Sequence, residues 1–187
     1  MGEDKALLAW DGGTLLDRAI ATTRRLSNAG ELFVIGDREP YRGRGAFVVP
    51  DDFPGTGPLG GIATALRRCE TERLLVVGVD MPLLSVPLLD AMTEYPFEGD
   101  ALVPRPDGLQ PLHAIYRRHC LPAIENQIET GQYRISDAFA RIDVTYLDRA
   151  WIQQFDPELV SFANANTPDD YARLREMALK DGAQYDE

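Results

Sequence analysis

The stretch RLLVVGVDMPLL, Arg73 to Leu84, constrains this chain most. Apolar residues run almost unbroken from Leu74 to Val79, then meet Asp80, and Met81-Pro82 follow. Such a run predicts a strand covered on both faces, as in a parallel sheet layered with helices. Ligands of open α/β sheets bind beyond the carboxyl ends of the strands, so the residue after VVGV faces that crevice. A carboxylate buried there without a partner is costly. Two roles remove the cost. Asp80 either holds a divalent cation on a phosphate-bearing ligand, or it caps the next turn or pairs with an arginine. Pro82, which cannot donate to a sheet, turns the chain away.

The rest of the chain fits that strand into an alternating pattern. Apolar spacing predicts a helix over Leu15–Leu26, closed by Asn28 and Gly30. LFVI (32–35) and FVV (47–49) are short buried strands, and a glycine-rich opening leads into a helix over Leu59–Cys69. Ser85 caps a helix over Pro87–Glu94. ALVP and LHAIY are strands around a PDG turn, followed by helices over His119–Glu129 and Ser136–Arg141 and the strand VTYL. Thr167-Pro168-Asp169-Asp170 opens a last helix with cap, proline and first-turn acids in place, and Gly182 and the polar tail after it are expected to fray. The pattern predicts one α/β domain over 1–187, with a mainly parallel sheet and an antiparallel insertion around 103–116. The 187 residues suffice for one full core.

Composition narrows the partners. A net charge of -11 and a pI near 4.6 disfavour nucleic acid and anionic membrane surfaces. The cations stand singly or in pairs, as on solvated helix faces. Cys69 and Cys120 have no CxxC or Cys/His spacing near them, which predicts reduced thiols and a cytoplasmic location rather than a zinc site or disulfide. No apolar run reaches the roughly 18–20 residues of a membrane span, and MGEDKALL has no signal-peptide pattern.

Two further stretches carry chemistry. DFPGTGPLGGI, Asp52 to Ile62, sets glycines and prolines before a helix. Glycines let backbone N–H groups approach a ligand, and a helix N-terminus adds positive potential. The same glycines also suit a tight helix–sheet contact. In GEDKALL, Lys5 is either a surface lysine or a cation that neutralises charge on a transferred phosphoryl group.

MGEDKALL, GGTLLDRA, PDDFPGTGPLGGI, VVGVDMPLL, QPLHAIYR and NANTPDDYARL occur in this order along nearly the whole chain. Together they resemble the molybdenum cofactor guanylyltransferases, the MobA family. The resemblance implies a Rossmann-like, three-layer nucleotidyltransferase fold of the nucleotide-diphospho-sugar transferase type. It implies transfer of GMP from GTP to molybdopterin cofactor with release of pyrophosphate, aided by Mg²⁺ or Mn²⁺. GTP and molybdopterin are the implied partners, with cofactor-insertion chaperones or acceptor apoenzymes downstream. By position, Asp80 is the implied metal ligand and Lys5 the phosphate-binding lysine. Asp51, Gly57, Pro58 and Gly61 are implied at the nucleotide. Asn164 or Asn166 is a second polar group at the metal or cofactor, unless both serve the turn before Thr167. Gln110 and His113 are placed on the pterin side, with a structural role for His113 as the alternative.

Two departures accompany the resemblance. Family members begin with a strand and a loop of the form LAGGxSxRMG, whereas this sequence starts at the MG, so the first strand and phosphate loop are expected to be missing from it. IGDR, Ile35 to Arg38, lacks the asparagine often found near the end of that strand. Two other functions stay open at this level: a cytidylyltransferase or pyrophosphorylase on another phosphate acceptor, and a truncated, non-catalytic paralogue that binds cofactor or partner.

Overall fold

A computed structural model describes residues 4–182. The tail expected to fray lies almost wholly outside them. A 3-10 turn at Lys5–Leu7 leads into a hairpin of β1 (Ala9–Trp10) and β2 (Gly13–Thr14). Its two-residue loop is Asp11-Gly12, with φ of 42° and 80°, the left-handed pair that a type I′ turn requires. Thr14 then caps α1 (Leu15–Thr23), and Asp17 returns the bond to the Thr14 backbone in a complete capping box.

Next come β3 (Phe33–Ile35), β4 (Phe47–Val49), α2 (Pro58–Arg68), β5 (Arg73–Val77) and α3 (Val86–Glu94). Ser85 accepts from the Leu88 N–H as the expected cap of α3. The chain continues through β6 (Ala101–Arg105), β7 (His113–Arg117), α4 (Leu121–Glu129), α5 (Ile135–Ala138), β8 (Val144–Asp148), α6 (Arg149–Ile152) and α7 (Pro168–Gly182).

The largest sheet has the order β5-β7-β6-β8. β6 and β8 are parallel, while β7 runs antiparallel to both of its neighbours. The expected insertion is therefore real, and it lies inside the sheet. β5, β6 and β8 run in one direction and β7 alone runs against them, so the sheet is mainly parallel with one antiparallel strand inserted, as expected. The apolar run of β5 reports its cover on two faces. Alternation divides that cover. Val103, Ala114 and Tyr116 meet Leu59, Ile62 and Leu66 of α2 and Ile124 of α4. Leu102, Ile115 and Leu147 meet Leu88, Leu89 and Met92 of α3 on the other face. The result is a three-layer α/β molecule.

β3 and β4 form a separate parallel pair. An apolar cavity of about 440 Å³ separates β3 from β5, walled by Leu16, Ala19 and Ile20 of α1 and Gly61, Ile62 and Ala65 of α2. The starts of both strands, Leu32-Phe33 and Leu74-Leu75, also line a second cavity that extends back to Ala29 and Cys69. The two strands thus run the same way along the seam, and their facing edges are unpaired in the ladders described. Their carboxyl ends lie on one side, where the candidate residues gather. Among the described residues no helix is long and apolar enough to cross a membrane. Cys69 and Cys120 are free and buried.

Candidate functional site

β5 ends at Val77, and the next three residues build the turn that carries Asp80. The Gly78 N–H donates to the Leu112 carbonyl at 2.7 Å, anchoring the turn to the segment before β7. A Cβ at Gly78 would sit 2.8 Å from Asp80 Oδ1, so a side chain there would displace the carboxylate. The Asp80 carbonyl accepts from the Ala165 N–H at 2.8 Å, which pins the NAN stretch, 164–166, against the strand end. Arg18 Nε donates to the Pro82 carbonyl at 3.1 Å and fixes the exit of the turn.

This anchoring brings three distant residues together. Lys5 Nζ donates to Asn166 Oδ1 at 2.8 Å and lies 3.9 Å from Asp80 Oδ2. The Lys5 and Asp80 side chains keep 37% and 23% exposure, so a ligand can reach both. At that exposure the pair adds little stability. Its interest lies in placing a cation and an anion side by side at the sheet's carboxyl edge. Asp4 holds the Lys5 turn from the other side: it accepts from the Ala6 N–H, from the Tyr41 hydroxyl at 2.6 Å, and pairs with Arg38 at 3.0 Å. Burial pushes the Tyr41 hydroxyl up to about 12, with Asp4 adding to the effect.

Of the two asparagines, Asn166 joins the cluster, whereas Asn164 donates to the Phe162 carbonyl at 3.2 Å and serves the local turn. The Asn166 oxygen is already engaged by Lys5, so it orients the ammonium. Among the described residues no three of His, Cys, Asp and Glu gather as a metal cage. One accessible carboxylate suits Mg²⁺, which completes its shell with water and phosphate oxygens rather than with side chains.

Asp51 stands one residue beyond Pro50 at the carboxyl end of β4. Its Oδ1 accepts from the Phe53 N–H at 2.9 Å and the Thr64 hydroxyl at 3.0 Å. Gly57 then enters α2 at φ 65°, a backbone region that glycine adopts without strain, and Pro58 occupies the first turn. Pro58 and Gly61 line the apolar seam beside Ala6, Gly78 and Val79. The sequence reading passes over Gly60, where a Cβ would meet Thr56 Oγ1 at 2.1 Å and the Phe53 carbonyl at 2.8 Å. Gly60 is the packing glycine of GPLGG, and Gly61, with only Ile35 Cγ2 at 3.9 Å, is the open one. Thr64 is a second residue that the reading missed. A lone threonine in an apolar helix stripe gives no signal from sequence.

The pterin-side expectation for His113 is corrected. The ring is fully buried in β7 and packs on Phe162 with centroids 4.7 Å apart. Burial drives its pKa from 6.5 down to about 3, the Ser161 backbone pulling the other way. Neither ring nitrogen has a well-formed hydrogen bond. A neutral ring closed off from solvent cannot contact a ligand, so His113 is structural. Gln110 is partly exposed and braces the turn into β7, its carbonyl accepting from the His113 N–H at 3.1 Å.

Known proteins are similar to this chain in sequence and in fold. Residues 1–146 match the family described as "MobA-like NTP transferase domain". The chain is 36% identical over 176 residues to "Probable molybdenum cofactor guanylyltransferase" of Chloroflexus aggregans, covering 90% of this chain and 84% of that one. It is 33% identical over 186 residues to the protein of the same name from Methanosarcina mazei, covering 91% and 82%. Among solved structures it is similar to molybdopterin-guanine dinucleotide biosynthesis protein A from Archaeoglobus fulgidus, with TM-score 0.80, 26% identity, and 96% and 92% of the chains covered. The fold also matches 2-C-methyl-D-erythritol 4-phosphate cytidylyltransferase from Thermus thermophilus, with TM-score 0.68, 21% identity and 94% of each chain covered.

Proposed function

The chain belongs to the MobA-like NTP transferase family, and on that premise we propose that it transfers GMP from GTP to the terminal phosphate of molybdopterin cofactor, releasing pyrophosphate. The observation that carries the reading is the pairing of Lys5 with Asp80 at the carboxyl edge of the sheet, 3.9 Å apart and open to a ligand. Names of relatives that are at least 30% identical over most of the chain support guanine as the base and molybdopterin as the acceptor.

In this mechanism the acceptor phosphate attacks the α-phosphorus of GTP, and pyrophosphate leaves in line. A phosphate nucleophile is already ionised near neutral pH, so no general base is needed. Asp80 would hold Mg²⁺, or Mn²⁺ in its place, and the ion would supply positive charge to offset that of the phosphates. Lys5, oriented by Asn166 beside Asp80, neutralises charge on the phosphate chain. Asp51 accepts a hydrogen bond from the nucleoside. The loop at Gly57 brings backbone and the α2 N-terminus toward the anion. Gln110 borders the acceptor side.

The test is pyrophosphate release with molybdopterin, GTP and Mg²⁺, with CTP in parallel and Asp80→Asn as the altered chain. The expected outcome is GTP-dependent release that falls at least a hundredfold in Asp80→Asn. Release with CTP in preference to GTP would overturn the base assignment. Release unchanged in Asp80→Asn would overturn the metal assignment.

A further inference from the structure

We infer that Thr64 is a positioning residue that fixes Asp51 for the nucleotide, an inference that rests on Asp51 being a nucleoside contact. Thr64 is fully buried in α2, beside Ile62, Ala63 and Leu66. A valine would fill the same space, and a buried hydroxyl is costly unless it is bonded. The hydroxyl makes two bonds, and both leave the helix. It accepts from the Asp52 N–H at 2.9 Å and donates to Asp51 Oδ1 at 3.0 Å. Threonine in a helix commonly bonds back to a carbonyl one turn earlier, whereas here the only bonds described go to the loop after β4.

The consequence falls on Asp51. Its Oδ1 is held by two donors, the Thr64 hydroxyl and the Phe53 N–H. That fixes the carboxylate plane and leaves Oδ2, which receives no hydrogen bond among the described residues. A carboxylate held this way presents one acceptor in one orientation. Its partner is a donor on the nucleoside, a hydroxyl or a base N–H. Thr64 also ties the Asp52 backbone to α2, so the loop from Asp51 to Gly57 moves with the helix whose N-terminus it enters. Preorganisation of this kind shows in nucleotide binding, because an unfixed side chain must be ordered when the ligand arrives.

The experiment compares the full chain with Thr64→Val, Thr64→Ser, Asp51→Asn and the Asp51→Asn/Thr64→Val double variant. Calorimetric Kd for GTP with Mg²⁺ is read alongside KM and kcat. Valine keeps the shape and removes the hydroxyl; serine keeps the hydroxyl. Thr64→Val is expected to weaken GTP binding about tenfold and raise KM alike, with kcat changed less than threefold. Thr64→Ser is expected to stay within twofold of the unaltered chain. Asp51→Asn weakens binding, and adding Thr64→Val to it costs nothing further, since both changes remove one interaction. Thr64→Val binding like the unaltered chain while Asp51→Asn binds weakly would overturn the role of Thr64 and leave that of Asp51 standing. A full tenfold loss on top of Asp51→Asn would show that Thr64 acts elsewhere. Normal binding by Asp51→Asn would overturn the Asp51 reading, and this inference with it.

Discussion

At the scale of single residues, the site is one cation and one anion whose settings are built by others. Asn166 accepts from Lys5 at 2.8 Å, so Asn166→Ala frees the ammonium without removing it. GTP affinity is expected to fall by about threefold to tenfold, less than in Lys5→Ala, as titration of both variants would show. His113 governs acid stability instead. The folded ring stays neutral down to about 3, while the unfolded ring takes up a proton near 6.5. Below 6.5 the unfolded chain therefore binds more protons, and stability is lost as pH falls toward 3. The slope owed to this ring is about 1.4 kcal/mol per pH unit. Urea denaturation from pH 7 to pH 4 is expected to show that extra slope in the unaltered chain and not in His113→Leu. Asp80 was legible in the sequence because a strand that ends on an acid poses a chemical question. Thr64 was not, because its bonds to Asp51 and Asp52 exist only once β4 and α2 are folded together.

At the scale of elements, the α2 entrance makes opposite demands of adjacent glycines. A methyl at Gly60 runs into the Phe53 carbonyl, a backbone atom that cannot swing aside. Gly60→Ala is expected to destabilise the protein by about 1–3 kcal/mol. Gly61 has room, and alanine is the better helix former by about 1 kcal/mol. Gly61→Ala is expected to raise Tm, whatever it does to GTP binding. Thermal unfolding of the two variants checks the contrast. From sequence, GPLGG reads as a glycine-rich helix start, but which glycine packs depends on where the Phe53–Thr56 loop comes to lie. The apolar run of β5 was equally legible as a strand covered on two faces. The Asp11-Gly12 hairpin was missed because strands of two residues leave no alternation to read.

At the scale of the whole molecule, the layers and the inserted β7 follow from the alternation of apolar residues, and the interrupted sheet does not. Among the described strands, the seam between β3 and β5 has two unpaired edges that face one apolar cavity. Unpaired edges and a cavity make this a weak line through the described residues. Amides of the β3–β4 pair are expected to exchange with solvent at least tenfold faster than those between β6 and β7, and native-state hydrogen exchange reads both. Asp80 lies at the end of β5, beside this seam, so the account stands on whether the edge holds a nucleotide. The most direct measurement is calorimetric titration of the chain with GTP and Mg²⁺, repeated with CTP and with Asp80→Ala. The account predicts micromolar binding of GTP, weaker binding of CTP, and loss of GTP binding in Asp80→Ala with the fold retained. GTP binding of equal strength in Asp80→Ala, or none in the unaltered chain, would contradict it.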